Sequence, residues 1–190
     1  MYTAQMVHSA DTFRRLAKVQ YNAYCAPTKI GLVLIAAVCL YVGAFYSGFA
    51  PKLLLLVGCW VAVSIQLPAR RNAERLIELA GGEFPSTAYR FSEDALRIES
   101  GGETRELKYD QIYGLLEDGA YFYLFLNRLS GYMVPKSTLS PAGDAAFRSF
   151  LETQTGLGTE SPRGLLATGL RGILLRRRNA RARRARNTSS

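Results

Sequence analysis

A long apolar segment constrains this chain more than any other feature of its sequence. Residues Gly31–Leu67 carry only one charged side chain, that of Lys52. A helix rises about 1.5 Å per residue and the hydrocarbon core of a bilayer is about 30 Å thick, so one span needs about 20 residues. The segment is close to twice that length, and it therefore predicts two spans that double back on each other.

The reversal is predicted in the stretch SGFAPK, residues 47–52. Gly48 weakens a helix, and Pro51 disfavours helix at the residue before it while suiting the first turn of a new helix. We expect a transmembrane hairpin over residues 29–68, with spans at about 29–49 and 51–67. A secretory signal peptide is excluded because the apolar run begins near residue 30 and is too long. The alternative is a buried hairpin in a soluble protein, but the rest of the chain is too small to cover it.

The spans carry small residues one helical turn apart, which predicts close packing between them. The two pairs are Gly43 with Ser47 and Gly58 with Ala62. The spans contain no Asp, Glu, Arg or His, and this argues against an ion or proton pathway.

Basic side chains beside the spans predict which side of the membrane the chain ends face. The turn between the spans offers only Lys52, whereas the flanking segments carry Arg14, Arg15, Lys18, Lys29, Arg70, Arg71 and Arg75. Since cytoplasmic loops carry the excess of Lys and Arg, both chain ends are expected in the cytoplasm. The expected location is the cell (inner) membrane, with a multi-pass topology.

The segments around the hairpin predict an α+β protein. Residues 1–28 suggest a strand at Tyr2–Val7 and a helix at Asp11–Ala26 with Asp11 as its N-cap. Residues 69–83 suggest a juxtamembrane helix with an Arg70–Glu74 pair, stopped by Gly81-Gly82.

Residues 84–156 alternate with period two and predict a small antiparallel β domain capped by a C-terminal helix. Hairpin turns are expected at Gly101-Gly102 and Asp118-Gly119. Ser140-Pro141 is expected to open the final helix, which buries Phe147, Phe150 and Leu151 and ends at Gly156. The expected strands are Thr87–Phe91, Ala95–Ser100, Glu103–Tyr109, Gln111–Glu117, Ala120–Leu126 and Gly131–Val134, and Tyr2–Val7 is a candidate seventh.

The basic character of the chain belongs to residues 157–190. From Arg163 onward there are nine arginines and no acidic residue, while the rest of the chain holds equal numbers of basic and acidic side chains. Arg163–Leu175 has an apolar face and is followed by an arginine cluster, a pattern typical of a membrane-surface element. The end of this tail is expected to be disordered. The candidate lipid-contact residues are Arg171, Arg176, Arg177, Arg178, Arg181, Arg183, Arg184 and Arg186. A disordered tail without a specific partner is the alternative, and nucleic-acid binding ranks below both.

Reactive side chains are scarce. The chain has one histidine and three cysteines. We expect the cysteines, Cys25, Cys39 and Cys59, to act as small apolar residues that fill space in packed regions. The carboxylates of Glu117 and Asp118 are expected to serve a turn and face solvent. Lys136 follows a strand and is expected to be a solvated charge, with contact to a phosphate as the alternative. No catalytic residue, metal ligand or cofactor is expected, and the aromatic strand from Tyr121 reads as core.

Several stretches resemble the YcxB-like family of bacterial membrane proteins. They are FSEDALRIES, LKYDQIYGLLEDGAYFYLFL, YMVPKSTL and FRSFLE, within residues 28–155, and the most specific part is Tyr109–Lys136. The resemblance implies a PH-like domain on the cytoplasmic side and implies no reaction. The arginine-rich extension beyond Gly156 is not part of the pattern.

The function that the sequence favours is a non-enzymatic, membrane-anchored interaction module. The alternatives are an anionic-lipid-binding or lipid-sensing regulator that acts through the basic tail, and an enzyme on a membrane-adjacent substrate. The expected partners are the bilayer, anionic lipid at the tail and an unidentified protein, and homo-oligomer formation stays open.

Overall fold

The computed structural model describes residues 1–24, 26–65, 67–79, 81, 84–162 and 169–188. Within these residues the chain forms six α-helices and two antiparallel sheets, which confirms the α+β class. Cys25, Gly82 and residues 163–168 of the expected amphipathic segment lie outside the described residues.

The described residues form seven strands in two sheets, and within each sheet consecutive strands pair with each other. The four-stranded sheet has the order β1-β2-β3-β4 and the three-stranded sheet has the order β5-β6-β7. The strands are β1 (Tyr2–Val7), β2 (Ser86–Phe91), β3 (Ala95–Ser100), β4 (Glu103–Lys108), β5 (Gly114–Glu117), β6 (Tyr121–Phe125) and β7 (Gly131–Pro135).

The first strand pairs with a strand that follows the helical hairpin. β1 runs antiparallel to β2, from Tyr2 opposite Phe91 to Val7 opposite Ser86. Thr3 also exchanges two backbone hydrogen bonds with Ser140, at 2.7 and 2.8 Å, which joins β1 to the segment after β7. The candidate seventh strand is therefore confirmed as a member of the β domain.

Glycine and aspartate form the two tight turns that the sequence predicts. Ser100 pairs with Glu103, and the two residues between them are Gly101 and Gly102 with φ of 57° and 83°. Positive φ at both positions is the type I′ geometry that suits the twist of a hairpin. At the second turn the Asp118 carboxylate accepts hydrogen bonds from the backbone N–H groups of Ala120 and Tyr121, both at 2.9 Å.

Helix α1 (Ala10–Tyr24) begins one residue before the predicted start, and its cap is a different residue. The Ser9 hydroxyl accepts a hydrogen bond from the backbone N–H of Thr12 at 3.3 Å, and the Thr12 hydroxyl accepts one from the backbone N–H of Ser9 at 2.9 Å. This reciprocal cap replaces the one expected at Asp11, whose carboxylate instead pairs with Arg14 in the first turn of the helix.

The apolar segment forms α2 (Ala26–Phe45) and α3 (Phe49–Ser64), which pack against each other. The chain reverses at residues 46–48, which overlap the start of the predicted stretch at residues 47–52, and Gly48 has φ of 122° there. Pro51 falls in the first turn of α3, as expected. Proline is tolerated there because an N–H group in the first turn of a helix has no acceptor within the helix. By length and composition, no single described helix qualifies to cross a membrane. Two bent helix pairs do qualify: Ala10–Tyr24 with Lys29–Phe45, at 80°, and Phe49–Ser64 with Leu67–Arg75, at 42°.

Two further helices flank the β domain. Helix α4 (Leu67–Leu79) packs along α1, and its Arg70 and Glu74 form no ion pair among the described contacts, contrary to expectation. Helix α5 (Asp144–Thr155) starts after Gly143 rather than at Ser140-Pro141, because the backbone of Ser140 is bonded to β1. It ends at Gly156 in the left-handed conformation, as predicted.

One hydrophobic core lies between the two sheets and α5. Phe147 of α5 is fully buried, and its ring meets those of Phe91 and Phe122 edge-on, with centroids 4.9 and 5.0 Å apart. The predicted burial of the aromatic strand is confirmed, because Phe122, Tyr123, Leu124 and Phe125 all belong to this core. Among the described residues, the core cluster includes none from α2 or α3.

Candidate functional site

The surface of the α2–α3 hairpin is apolar and exposed. The helices approach each other closely at Gly43 and Gly58, where a Cβ atom would lie 2.7 Å from the Leu55 backbone nitrogen and 3.0 Å from the Cys39 Cβ, respectively. Large side chains point outward instead, including those of Leu34, Val38, Tyr41, Leu56, Trp60 and Val63, which are 60–78% exposed. An exposed apolar patch of this extent marks a surface that contacts another molecule or a membrane.

A compact ionic cluster fixes α5 to the end of β5. The Arg148 guanidinium donates two hydrogen bonds to the Glu117 carboxylate, at 2.5 and 2.7 Å. The Lys136 ammonium group lies 2.5 Å from the same carboxylate and 3.0 Å from that of Asp144. Burial alone would raise the pKa of Glu117, but the hydrogen bonds from Arg148 and Lys136 outweigh it and lower that pKa.

A second cluster, one residue along the chain, fixes α1 to the β5–β6 turn. Arg15 donates one hydrogen bond to the Asp118 carboxylate at 2.8 Å and one to the Tyr123 hydroxyl at 3.1 Å. The Tyr123 hydroxyl in turn donates to Asp118 at 2.7 Å, and the Arg15 guanidinium lies 4.7 Å from the centroid of the Tyr121 ring. Burial raises the pKa of Asp118, but the hydrogen bonds, that of Tyr123 foremost, lower it overall.

These clusters correct the prediction of solvated charges. The side chains of Glu117, Asp118 and Lys136 are only 11%, 18% and 13% exposed, and each is neutralised by an opposite charge. The turn role expected of Asp118 is confirmed, but its carboxylate also reaches α1. Sequence reasoning missed Arg15 and Arg148 because their partners lie 103 and 31 residues away along the chain.

The segment after α5 extends the three-stranded sheet and receives the last helix. Glu160 exchanges backbone hydrogen bonds with Leu115 and Glu117, each at 2.9 Å, and lies alongside β5. Asn179 of α6 (Gly169–Thr188) is 1% exposed, and its side-chain amide bonds to the backbone N–H and carbonyl of Gly158 at 2.9 and 2.8 Å. The basic tail therefore contains a helix that packs on the β domain, where the sequence suggests disorder at the end.

The predicted lipid-contact arginines do not share one environment. Arg183 faces the domain, with its guanidinium carbon 4.1 Å from the centroid of the Tyr113 ring and a nitrogen 3.8 Å from the Glu160 carboxylate. Four others are exposed on α6, namely Arg177, Arg178, Arg181 and Arg184. The side chains of Arg171, Arg176 and Arg186 lie outside the described part of the structure.

Comparison with known proteins identifies one family. A family model described as YcxB-like protein matches residues 91–151, from the last residue of β2 into α5. Neither the curated proteins nor the solved structures contain a match to the chain. The matched segment includes Glu117, Asp118, Lys136 and Arg148, whereas Arg15 and α6 lie outside it. The resemblance to the YcxB-like family that the sequence predicts is thus confirmed over residues 91–151.

Proposed function

We propose that the chain is a membrane-anchored, non-enzymatic interaction module. In this proposal the α2–α3 hairpin inserts into the bilayer and the β domain, of a PH-like type, binds a protein or lipid partner at the cytoplasmic face. The observation that carries the proposal is the exposed apolar surface of α2 and α3, which the hydrophobic core of the β domain does not cover in the described part of the chain.

The energetic argument for insertion is the number of large apolar side chains that water would surround. Moving one Leu, Val or Phe side chain from water to an apolar environment is favourable by about 1.5–3 kcal/mol. Trp60, Leu56 and Val63 lie on one helix and are 71%, 65% and 78% exposed. Hydrocarbon around the hairpin would remove this cost. Lys52, the single charge of Gly31–Leu67, lies beside the turn, where an interface would be.

The pairing of β1 with β2 supports a topology with both flanks of the hairpin on one side. β1 precedes the hairpin and β2 follows it, and the two strands share six residue pairs in one sheet. Strands on opposite sides of a bilayer could not pair in this way. Combined with the basic residues next to the spans, this favours cytoplasmic locations for the N-terminus, the β domain and the tail.

The non-enzymatic character is supported by how two largely buried carboxylates are used. Glu117 and Asp118 each accept hydrogen bonds from cationic side chains that belong to neighbouring helices. A general acid or base needs a proton that it can exchange with substrate near neutral pH, whereas these groups have lowered pKa values and stay ionised. Their contacts favour a structural role, and the domain surface is left for recognition.

A second candidate function uses the exposed arginines of α6. Arg177, Arg178, Arg181 and Arg184 are exposed on a helix that Asn179 holds against Gly158. Each such charge near an anionic leaflet is worth about 1 kcal/mol. This arrangement favours contact with anionic lipid as an addition to anchoring by the hairpin.

Cysteine labelling in intact bacterial cells tests the proposed topology. In a chain whose native cysteines are replaced by serine, Lys52→Cys and Glu103→Cys would be treated with a membrane-impermeant thiol reagent before and after lysis. We expect Lys52→Cys to react in intact cells and Glu103→Cys to react only after lysis. Labelling of Glu103→Cys in intact cells, or recovery of the protein in the soluble fraction without detergent, would overturn the proposal.

Liposome flotation tests the second candidate. The wild-type chain would be compared with a full chain in which Gln replaces Arg177, Arg178, Arg181 and Arg184. Each protein would be reconstituted into nanodiscs through α2–α3 and then mixed with anionic or neutral vesicles, and the fraction that floats with the vesicles would be measured. We expect salt-sensitive capture by anionic vesicles only for the wild type. Equal capture of both chains would exclude a role for these arginines.

A further inference from the structure

A cleft between α1 and α4 combines a small-residue floor with cationic walls. Its volume is about 540 Å³. The buried residues of its lining are Ala69 and Ala73, which are 6% and 1% exposed and form its floor. The walls carry Arg14 and Lys18 from α1 and Arg70 and Glu74 from α4.

The cations of the cleft are at most weakly paired within the described part of the chain. Within the described part of the chain, the side chains of Lys18 and Arg70 form no ion pair or hydrogen bond. Arg14 pairs with Asp11, whose side chain is 90% exposed, so that this pair is weakened by solvent. The lining holds three cations and one carboxylate, that of Glu74, and this net positive charge around one concave space attracts an anion, because the low-dielectric walls concentrate the field.

The position of the cleft points to the source of that anion. α1 meets the first hairpin helix at 80°, so α1 lies across the base of the hairpin rather than along it. Ala69 and Arg70 lie in the first turns of α4, directly after the second hairpin helix. If α2 and α3 are embedded in a bilayer, as the proposed function holds, the cleft opens at the depth of the lipid phosphates.

We propose that the α1–α4 cleft binds a phosphate group, with Lys18 and Arg70 as its direct ligands and Arg14 at its rim. Arg offers several donors in a fixed plane and Lys offers a compact charge, and both are standard partners for phosphate oxygens. The carboxylate of Glu74 accepts a hydrogen bond from a hydroxyl group of the same ligand, which favours a hydroxylated headgroup such as phosphatidylglycerol over a bare anion. The lipid version of this proposal rests on the proposed membrane anchoring, whereas binding of free phosphate does not.

The test compares two pairs of charge substitutions on the full chain. The cleft pair is Lys18→Gln with Arg70→Gln. The control pair is Arg71→Gln with Arg75→Gln, which also removes two positive charges, but both come from α4 and line a different cleft, beside Trp60. Native mass spectrometry of the protein from detergent with added phosphatidylglycerol counts bound lipid, and calorimetric titration with inorganic phosphate in the same detergent measures the free anion.

We expect the wild type and the control pair to bind at least one of the two probes with equal affinity. The cleft pair should bind that probe more than about tenfold more weakly, since two charge-assisted hydrogen bonds are lost. Ala73→Leu, which fills the cleft and leaves its charge unchanged, should weaken binding as well. Binding of phosphatidylglycerol alone assigns the ligand to lipid, and binding of inorganic phosphate assigns it to a free anion.

Two results would overturn the proposal. One is an equal loss of binding in the cleft and control pairs, which would mean that a diffuse basic surface attracts anions. The other is a wild type that binds neither probe. Because calorimetry with inorganic phosphate needs no bilayer, a protein that proves not to be membrane-embedded could still pass this test, and failure of the two proposals can be told apart.

Discussion

Glu117 and Asp118 are consecutive residues whose carboxylates bind different helices. Glu117 is held by Arg148 of α5, and Asp118 is held by Arg15 of α1. β5 ends at Glu117 and the turn begins with Asp118, so that these neighbouring side chains contact different helices. Glu117 and Asp118 together connect α5, which caps the β domain, to α1, which leads into the hairpin.

Replacement of Glu117 by Gln should destabilise the β domain by about 2 kcal/mol. The change removes the charge that Arg148 and Lys136 share and leaves Lys136, which is 13% exposed, without its main partner. Chemical unfolding of the full chain in detergent would measure the loss. The matched control is Glu103→Gln, whose side chain is 76% exposed and pairs with an equally exposed Arg105, and its effect should stay within about 0.5 kcal/mol. Equal effects of the two substitutions would contradict the assigned role.

Acid should weaken the wild type more than the Glu117→Gln variant. The pKa of Glu117 in the folded chain lies below its ordinary value of 4.5, so the unfolded chain binds more protons in that range. The stabilisation is therefore complete above that value and is lost as pH falls through the lowered pKa. Thermal unfolding measured from pH 6 down to pH 3 should show the two proteins converging, and a gap that stays constant across this range would refute the expectation.

Replacement of Asp118 by Asn should release α1 without loosening α5. The substitution removes the charge that Arg15 and the Tyr123 hydroxyl contact, while the Glu117 cluster is untouched. Hydrogen exchange followed by mass spectrometry should show faster exchange in Ala10–Tyr24 and unchanged exchange in Asp144–Thr155. Arg14→Gln is the control, since its partner Asp11 is on the same helix and exposed. Faster exchange in both helices would mean that the two clusters are not independent.

The strands could be predicted from the sequence because their signals are local. Alternation of apolar and polar residues and the turn residues Gly101, Gly102, Asp118 and Gly119 determine where β3 to β6 begin and end, to within a few residues. The start of α5 could not be predicted in this way. Ser140-Pro141 has the composition of a helix start, but the Ser140 backbone is bonded to Thr3, 137 residues away.

The ionic clusters could not be predicted for the same reason. A carboxylate pair at a hairpin turn is exposed unless another element covers it, and local sequence does not say which element does so. α1 covers Asp118, and α5 covers Glu117. Asn179 is a similar case, because a single asparagine among arginines gives no sign that it contacts Gly158, 21 residues earlier.

Replacement of Asn179 by Ala should detach α6 from the β domain. The Asn179 amide satisfies the buried N–H and carbonyl of Gly158, and alanine would leave both groups unpaired at about 1–3 kcal/mol. Hydrogen exchange in Gly169–Thr188 should rise at least severalfold, since these two hydrogen bonds supply a large part of the free energy that holds α6 on the β domain. Arg177→Gln on the exposed face of α6 should leave exchange unchanged, and an equal rise in both variants would show that Asn179 does not anchor the helix.

Substitutions of two glycines on α2 should separate packing of the hairpin from helix propensity. At Gly43 a Cβ atom would lie 2.7 Å from both the Leu55 nitrogen and the Pro51 carbonyl oxygen, and since these are backbone atoms α3 must move away. Gly43→Ala should therefore lower stability by about 1–3 kcal/mol, the usual cost of overpacking. At Gly31 a Cβ atom would meet nothing within 4 Å, so Gly31→Ala should be neutral or stabilising, because alanine is the better helix former. Thermal unfolding of the full chain in detergent compares the two variants, and a Gly43→Ala variant as stable as Gly31→Ala would show that α2 and α3 do not pack closely at this point.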